Sequence, residues 1–259
     1  MDNELLEQIE DGIAISTLNR PQARNAMTFP MYEGLAAMAA RVTEDPAIKV
    51  WVITGAGGKA FAAGTDINQF RAFKTPQDAL DYEARIDKVL VAIERCPKPV
   101  IAAVAGACTG GGAAIAGVCD LRIGAANTRI GLPIARTLGN CLSMANYARF
   151  SALIGPARLT DLIFTARLME APEALAAGLL SEVLDTPEAL AERALALAKT
   201  IAGHAPLTLR ASKEALRRLR AAALQVEGDD LVTMCFTSAD FAEGVDAFLT
   251  RRPPAWKGV

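Results

Sequence analysis

The sequence predicts an α/β fold in which buried strands alternate with helices, followed by a helical C-terminal module. Three observations carry this. Short β-branched apolar runs are closed by glycine turns, the segments between them have readable helix caps, and no strand pattern occurs after about His204. Strands that are apolar on both faces belong in a sheet covered by helices on both sides.

Residues 12–18 alternate enough for a strand, which Asn19-Arg20-Pro21 ends. Residues 30–42 form an Ala- and Met-rich helix with Pro30 at its start. The run 49–54, KVWVIT, is a buried strand closed by Gly55-Ala56-Gly57-Gly58. Thr75 caps and Pro76 opens a helix that runs to about residue 95. Residues 99–104 are a β-branched strand, 106–112 a glycine-rich turn, 113–118 a helix of small residues, and 121–125 a further strand. Beyond about residue 140 the pattern is helical, over 143–153, 156–164, 172–177, 187–202, 206–223, 226–236 and 238–251, with 181–184 rejoining the sheet. The chain therefore divides into a core, 1–203, and a helical module, 204–259. The amphipathic helices of that module need a surface to cover, and a neighbouring subunit is a natural one.

Composition narrows the function. The 259 residues are 52% hydrophobic and 22% charged, a globular balance, with 5% aromatic residues and a net charge of −2. No global field or basic stripe recruits nucleic acid or an anionic membrane. The uncharged run 99–119 has the length of a membrane span, yet glycines at 106, 110, 111, 112 and 117 weaken it and no aromatic belt flanks it. Gly112 is followed by Ala113 and Ala114 where a phosphate loop needs Lys-Ser/Thr, and no GxGxxG spacing occurs. The cysteines at 96, 108, 119, 141 and 235 show neither CxxC nor zinc-ligand spacing, and no apolar leader opens the chain, so free thiols in a reducing cytoplasm are expected. The single histidine, His204, rules out a multi-histidine metal site and reads as a loop or cap residue.

The chemistry concentrates in two segments. In PVIAAVAGACTGGGAAIAGVCD (99–120) a strand, a glycine turn and a helix N-terminus leave bare N–H groups aimed at one spot. Such a spot can hold an anion that exists only during a reaction. In KAFAAGTDINQF (59–70) small residues at 62, 63 and 64 let the backbone approach a ligand closely, and Thr65 or Asp66 caps a short helix. Two backbone approaches, each after a buried strand, suggest two N–H donors converging on one oxygen.

With these segments on the page, the chain resembles the crotonase (enoyl-CoA hydratase/isomerase) superfamily over nearly all its length. The matching pieces are NRPQARNAM (19–27), KAFAAGTDI (59–67), KPVIAAVAGACTGGG (98–112), CDLRIGA (119–125), APEALAAGLLSEVL (171–184) and FLTRRPPAWKG (248–258). The resemblance implies a crotonase-like (ClpP/crotonase) spiral of ββα units with a C-terminal trimerisation module, assembled as a homotrimer or a dimer of trimers. It implies an acyl-CoA substrate, with no metal and no cofactor beyond the coenzyme A of that substrate. The N–H groups of Thr65 and Gly111 would hold the thioester oxygen as it turns into an enolate. Arg24, Ala26, Ala63, Asp66 and Ile67 would hold the CoA, and Phe248 and Arg251 match positions that often close the CoA site from a neighbouring subunit. Plainer readings stand beside these: Arg24 as a surface charge, Asp66 as a helix cap, Asp120 as a structural acceptor, and Phe248 as packing.

The pattern breaks at the two glutamates that typical hydratases carry, where Ala114 and Ile134 stand instead. The stretch that follows, IARTLGNCLSMANY, offers Arg136, Asn140, Cys141 and Ser143 as polar or reactive candidates for that wall. Cys141 qualifies as a nucleophile only if its surroundings lower its pKa, and Asn140 or Ser143 reads equally as a helix N-cap. Asp66 or a carboxylate of the 78–94 helix can also enter the pocket. The expected activity is that of an enoyl-CoA hydratase or isomerase. The alternatives are other thioester chemistry such as decarboxylation, or acyl-CoA binding without turnover. A ClpP-like peptidase is disfavoured, because no serine replaces the key glycine or alanine positions.

Overall fold

The computed structural model describes residues 3–73, 75–222 and 228–258. A six-stranded sheet has the order β1 (Leu5–Glu10), β2 (Ile13–Leu18), β3 (Val50–Gly55), β5 (Val100–Val104), β7 (Leu121–Ala125), β10 (Glu182–Leu184). A four-stranded sheet has the order β4 (Ala60–Ala62), β6 (Ala107–Thr109), β8 (Arg129–Gly131), β9 (Met169–Glu170). The β1–β2 hairpin and the β8–β9 pair are antiparallel and every other pairing is parallel. The chain visits the two sheets in turn, β3 then β4, β5 then β6, β7 then β8. Helix α2 (Pro76–Arg95) follows the first pair, and α3 (Gly111–Val118) follows the second. That alternation is the spiral of ββα units.

Side-chain alternation along the strands explains why the large sheet is buried on both faces. Val50, Val52, Ile101, Ala103 and Ile123 pack with Leu190, Ala194 and Ala198 of helix α8 (Pro187–Ala202). Trp51, Ile53, Val100 and Ala102 point the other way, into the main core with Leu35 of helix α1 (Phe29–Glu44) and Leu90 and Ile93 of α2. The indole N–H of the buried Trp51 donates to Ser16 Oγ at 3.0 Å, so no polar group is stranded there.

Most elements lie where the sequence predicts, and their caps explain it. Thr75 and Asp78 form a reciprocal capping box ahead of Pro76. Ser143 N-caps α5 (Met144–Ile154), and Ser238 N-caps the last helix. The turn expected over 106–112 is corrected: it contains β6, and α3 starts at Gly111 rather than at 113. Strands β4, β6, β8 and β9, two or three residues each, are too short to leave a periodic signal. The one-turn helix α4 (Ile134–Thr137) is likewise absent from the sequence reading, and α6 (Pro156–Thr165) and α7 (Ala171–Ala176) match it. β1 was hidden because its apolar residues do not alternate cleanly and it carries exposed Leu6 and Ile9 on a sheet edge. Of the helix expected over 226–236, residues 226 and 227 lie outside the described residues, and α10 spans Asp229–Phe236.

The C-terminal helices anchor on their own chain. Lys213 of α9 (Pro206–Ala222) donates to Asp120 Oδ2 at 2.7 Å and to the Lys98 carbonyl at 3.0 Å, while Asp120 also accepts from the Val100 N–H at 2.8 Å. Asp120 is thus a structural acceptor. Helices α10 and α11 (Ala239–Thr250) bring Phe236 and Phe241 against Phe70, Phe73 and Tyr82, so the surface they cover belongs to the same chain. Exposed Leu207, Leu216 and Leu219 of α9 are left facing outward. Among the described residues no helix is long and apolar enough to cross a membrane.

Candidate active site

Strands β4 and β6 run side by side, and each leads into a run of backbone close to the other, 63–66 after β4 and 110–112, which enters the first turn of α3, after β6. A Cβ on Gly112 would lie 2.3 Å from the Ala62 carbonyl oxygen, so only glycine lets the second loop seat against the first. A Cβ on Gly111 would lie 2.0 Å from the Tyr32 hydroxyl and 3.1 Å from Thr65 Oγ1. The bare backbone at 111 is what brings it up to Thr65.

The amides of these two residues are left over by the local hydrogen bonding. Met27 and Thr65 form an isolated parallel bridge, in which Met27 N–H donates to Gly64 O and Asp66 N–H donates to Met27 O, both at 2.8 Å. A parallel bridge of that form uses the flanking groups and turns the N–H of Thr65 itself away from Met27. Gly111 opens α3, and a first-turn N–H has no acceptor within its helix. The positive end of the α3 dipole lies at the same residue.

The Thr65 side chain is clamped. Its hydroxyl lies 2.8 Å from the Tyr32 hydroxyl and 2.8 Å from that of Tyr82. Burial pushes both phenols above their ordinary pKa, and the negative charge of nearby Glu83 adds to the rise. Both tyrosines therefore stay neutral, and Thr65 is held from α1 on one side and from α2 on the other.

The residues expected to hold CoA form one ridge. Ala63 N–H donates to the Arg24 carbonyl at 3.0 Å, and Arg20 reaches both the Ala26 carbonyl at 2.6 Å and Asp66 Oδ2 at 3.0 Å. The chain turns sharply here, with Arg24 and Asn25 both left-handed at φ 50° and 54°. Buried Asn25 holds the turn by donating to the carbonyls of Ala56 and Ala60 and accepting from Arg20 N–H. Asp66 accepts from Asn68 N–H and so caps the 3-10 turn Ile67–Ala72. Burial would raise its pKa, but the Asn68 hydrogen bonds and the Arg20 guanidinium outweigh that and hold it below the usual carboxylate range. Phe248 is exposed on α11, and Arg251, the left-handed C-cap of that helix, is exposed as well.

The positions where the resemblance expects glutamates carry hydrocarbon. Ala114 in α3 and Ile134 at the start of α4 are both buried. Burial pushes the Cys141 thiol up, so the condition for a nucleophile is not met, and its Sγ contacts the Leu231 carbonyl at 3.4 Å. Asn140 turns back on the Cys141 carbonyl, and its Oδ1 is buried without a partner. Ser143 is the member of this trio that lines a cavity of about 790 Å³, between α2 and the start of α10.

The sequence reading missed Asn25, Tyr32, Tyr82 and, among the helix carboxylates it left unranked, Glu83. Glu83 lines the same cavity as Ser143. It is half-buried and has no hydrogen-bond or ion-pair partner among the described residues. Burial, with Asp87 one turn further on, lifts its pKa from 4.5 to about 7. A signal for it was present: positions 79, 82, 83, 86, 90 and 93 form one inward stripe of α2, and Glu83 is the charged member.

The doubly covered spiral is that of a crotonase-fold protein, and comparison with known proteins identifies the family. The family model for enoyl-CoA hydratase/isomerase matches residues 8–259, and the chain belongs to that family. It is 35% identical over 255 residues to the crotonyl-CoA hydratase of Syntrophomonas wolfei, covering 97% of this chain and 96% of that one. A solved enoyl-CoA hydratase/carnithine racemase from Magnetospirillum magneticum superimposes with a TM-score of 0.81 at 34% identity, covering 100% of this chain and 97% of that one. A methylmalonyl-CoA decarboxylase solved with 2-nitronate-propionyl-CoA gives a TM-score of 0.89 at 26% identity, covering 99% of each chain. The protein is an enoyl-CoA hydratase/isomerase-like enzyme.

Proposed function

We propose that the protein binds an acyl-CoA thioester with its carbonyl oxygen between the N–H groups of Thr65 and Gly111, and hydrates or isomerises an enoyl chain through the thioester enolate. The observation that carries this is the pair of leftover amides, with Gly111 brought to Thr65 by a missing side chain. Charge gathers on the thioester oxygen only as the enolate forms, so donors fixed in advance favour the transition state over the ground state. The ridge formed by Arg24, Ala26, Ala63, Asp66 and Ile67 would hold the CoA. Phe248 and Arg251, exposed on α11, are free to meet a neighbouring subunit in a homotrimer or dimer of trimers. Ala114 and Ile134 stand where hydratases of this family keep their glutamates, so proton transfer must come from another part of the wall.

Decarboxylation is the second reading, supported by the likeness to methylmalonyl-CoA decarboxylase and by the hydrocarbon at 114 and 134. Against it, Asp81, Asp87, Asp229 and Asp230 line the cavity with Glu83 and would repel a substrate carboxylate.

The test has two arms. Acetoacetyl-CoA titrated with the protein at fixed pH should show a rise in enolate absorption, and a panel of enoyl-, malonyl- and β-ketoacyl-CoA esters identifies the reaction by its product. In a Tyr32→Phe background, Gly111→Ala keeps the amide and Gly111→Pro removes it, at a helix position where proline is tolerated. The proline variant should turn over about 10²–10³-fold more slowly than the alanine variant, the usual effect of one lost oxyanion donor. Equal rates in the two variants would refute the assignment.

A further inference from the structure

We propose that Glu83 of α2 is the proton-transfer group of this site, facing the α-carbon of the bound thioester from the side opposite the glycine loop. The inference rests on the enolate reading above and supplies the base that reading lacks.

Four observations converge on this residue. The first is its place on α2. It occupies the inward stripe that Ala79, Ile86, Leu90 and Ile93 fill with hydrocarbon, where a carboxylate costs stability unless it has a use. The second is its isolation. Asp87 pairs with the buried Arg149 at 3.1 Å, and Asp81, Asp229 and Asp230 are exposed, whereas Glu83 is half-buried and unpaired. The third is the cavity it lines, about 790 Å³, where Leu80, Ala84, Met144 and Val232 give hydrocarbon beside the carboxylates of Asp81, Asp87, Asp229 and Asp230. The fourth is its link to the oxyanion donors. Glu83 follows Tyr82, whose hydroxyl holds Thr65, and its charge reaches the hydroxyl of Tyr32, the group that lies against Gly111.

Its surroundings also suit the task. An ordinary glutamate is too weak a base to take an α-proton efficiently near neutrality, and the low-dielectric wall raises its affinity for a proton into the useful range. The titratable groups that sense it are Tyr82 and Asp87 on its own helix, Tyr32 on α1 and Cys141 before α5, and Asp81, Asp229 and Asp230 line the same cavity. Among the described residues no cation pairs with it, so nothing there stabilises the ionised form by direct pairing.

The step balances without any further reagent. The Glu83 carboxylate takes the proton from Cα as the C–H electron pair becomes the Cα–C double bond. The carbonyl pair moves to the thioester oxygen, held by the two amides. The resulting carboxylic acid returns a proton to Cα, or to Cγ in an isomerisation. In hydration the same carboxylate takes a proton from the water that attacks Cβ, and then protonates Cα.

The test reads proton transfer without depending on which forward reaction the enzyme catalyses. Butyryl-CoA, which is saturated, is incubated with the enzyme in D2O, and deuterium wash-in at Cα is followed by NMR. Enolate absorption of bound acetoacetyl-CoA is measured in parallel. Wild-type protein should show both signals. Glu83→Gln should keep the absorption within two-fold and lose at least 100-fold in wash-in. Wash-in by Glu83→Gln within two-fold of wild type overturns the proposal, as does a wild type that shows the absorption but no wash-in. A wild type without the absorption overturns the enolate reading, and the role of Glu83 with it. Should Glu83→Gln fold poorly, Glu83→Asp withdraws the carboxylate by one methylene, and unchanged wash-in by that variant counts equally against the proposal.

Discussion

The two sides of the site are built from opposite materials. On the glycine side everything depends on backbone: Gly111 and Gly112 carry no side chain, and their loop rests on Ala62 and Thr65 at distances that no Cβ could share. On the α2 side everything depends on side chains: Tyr82 reaching Thr65, Glu83 lining the cavity, and Phe236 and Phe241 of the C-terminal helices packing on Tyr82 and Phe70. The first side is rigid where Gly112 lies against the backbone of Ala62, and it yields only where Gly111 faces the Tyr32 hydroxyl. The second is held by side-chain contacts that can be exchanged one at a time. Substitutions should therefore be far less forgiving on the glycine side.

The sharpest way to break that contrast is a single added methyl group at each of two adjacent residues. Gly112→Ala places a Cβ against the Ala62 carbonyl, which belongs to β4 and cannot move without disturbing the small sheet. We expect a loss of roughly 3 kcal/mol or more, measured by chemical denaturation, which is the upper range for overpacking. Gly111→Ala meets instead the far end of Tyr32, 2.0 Å away, and a side-chain end can be trimmed. In the Tyr32→Phe background the nearest ring atom is the former hydroxyl-bearing carbon at 3.4 Å, so most of the Gly111→Ala penalty should disappear. The double-mutant cycle should give a favourable coupling of about 1 kcal/mol or more. A coupling near zero would mean that the 111 position is not crowded by Tyr32.

The same contrast explains what could be read from sequence. A backbone site is written as composition. Small residues at 62–64 and the run Gly110-Gly111-Gly112 are visible without any knowledge of tertiary structure, and they lie where the two loops meet. The strands that are apolar on both faces and the capped helices were legible for the same reason, since each is a local pattern, whereas the ββα order came only from the family resemblance. The short strands of the second sheet were not, because two or three residues carry no period. Tyr32, Tyr82 and Glu83 were hidden differently. Tyr32 is separated by 33 residues from Thr65, and Tyr82 by 17, so only the folded spiral joins them. Glu83 alone left a local trace, as a charge on an apolar stripe. The plainer readings of Asp66 and Asp120 proved structurally correct, one as a cap and the other as an acceptor.

The stability of Glu83→Gln sharpens the comparison from the other side. The folded protein holds a proton on Glu83 up to about pH 7, against 4.5 for an ordinary glutamate. The native state therefore binds more protons than the unfolded chain between these values, and stability falls as pH rises from 4.5 to 7. At 1.36 kcal/mol per pKa unit the full cost would be about 3 kcal/mol, and solvent access from the cavity reduces it to roughly 1–2 kcal/mol. Glu83→Gln cannot ionise, so it should be more stable than wild type by that amount at pH 8 and should match it near pH 4.5. A variant that gains stability while losing proton transfer is the signature of a group kept for chemistry. Equal stability at both pH values would place Glu83 in full contact with solvent.

The smallest expected effect lies on the CoA ridge, where Asp66 has its Asn68 cap and its Arg20 pair as separable contributions. Asp66→Ala removes both and should cost about 1 kcal/mol at pH 7, the usual value of an N-cap. Asp66→Asn keeps a capping oxygen and removes only the charge, so it should cost less, and its deficit should shrink in high salt as a partly exposed ion pair is screened. The sign of the pH dependence follows from the lowered pKa of Asp66. Its contribution is present above the ordinary carboxylate value of 3.8 and disappears as pH falls through the folded-state value. The gap between wild type and Asp66→Asn should therefore close in acid, whereas the cost of Gly112→Ala, which involves no charge, should not change with pH. An Asp66→Asn deficit that persisted at acidic pH would mean that the geometry of the cap, and not the Arg20 pair, sets the stability of this ridge.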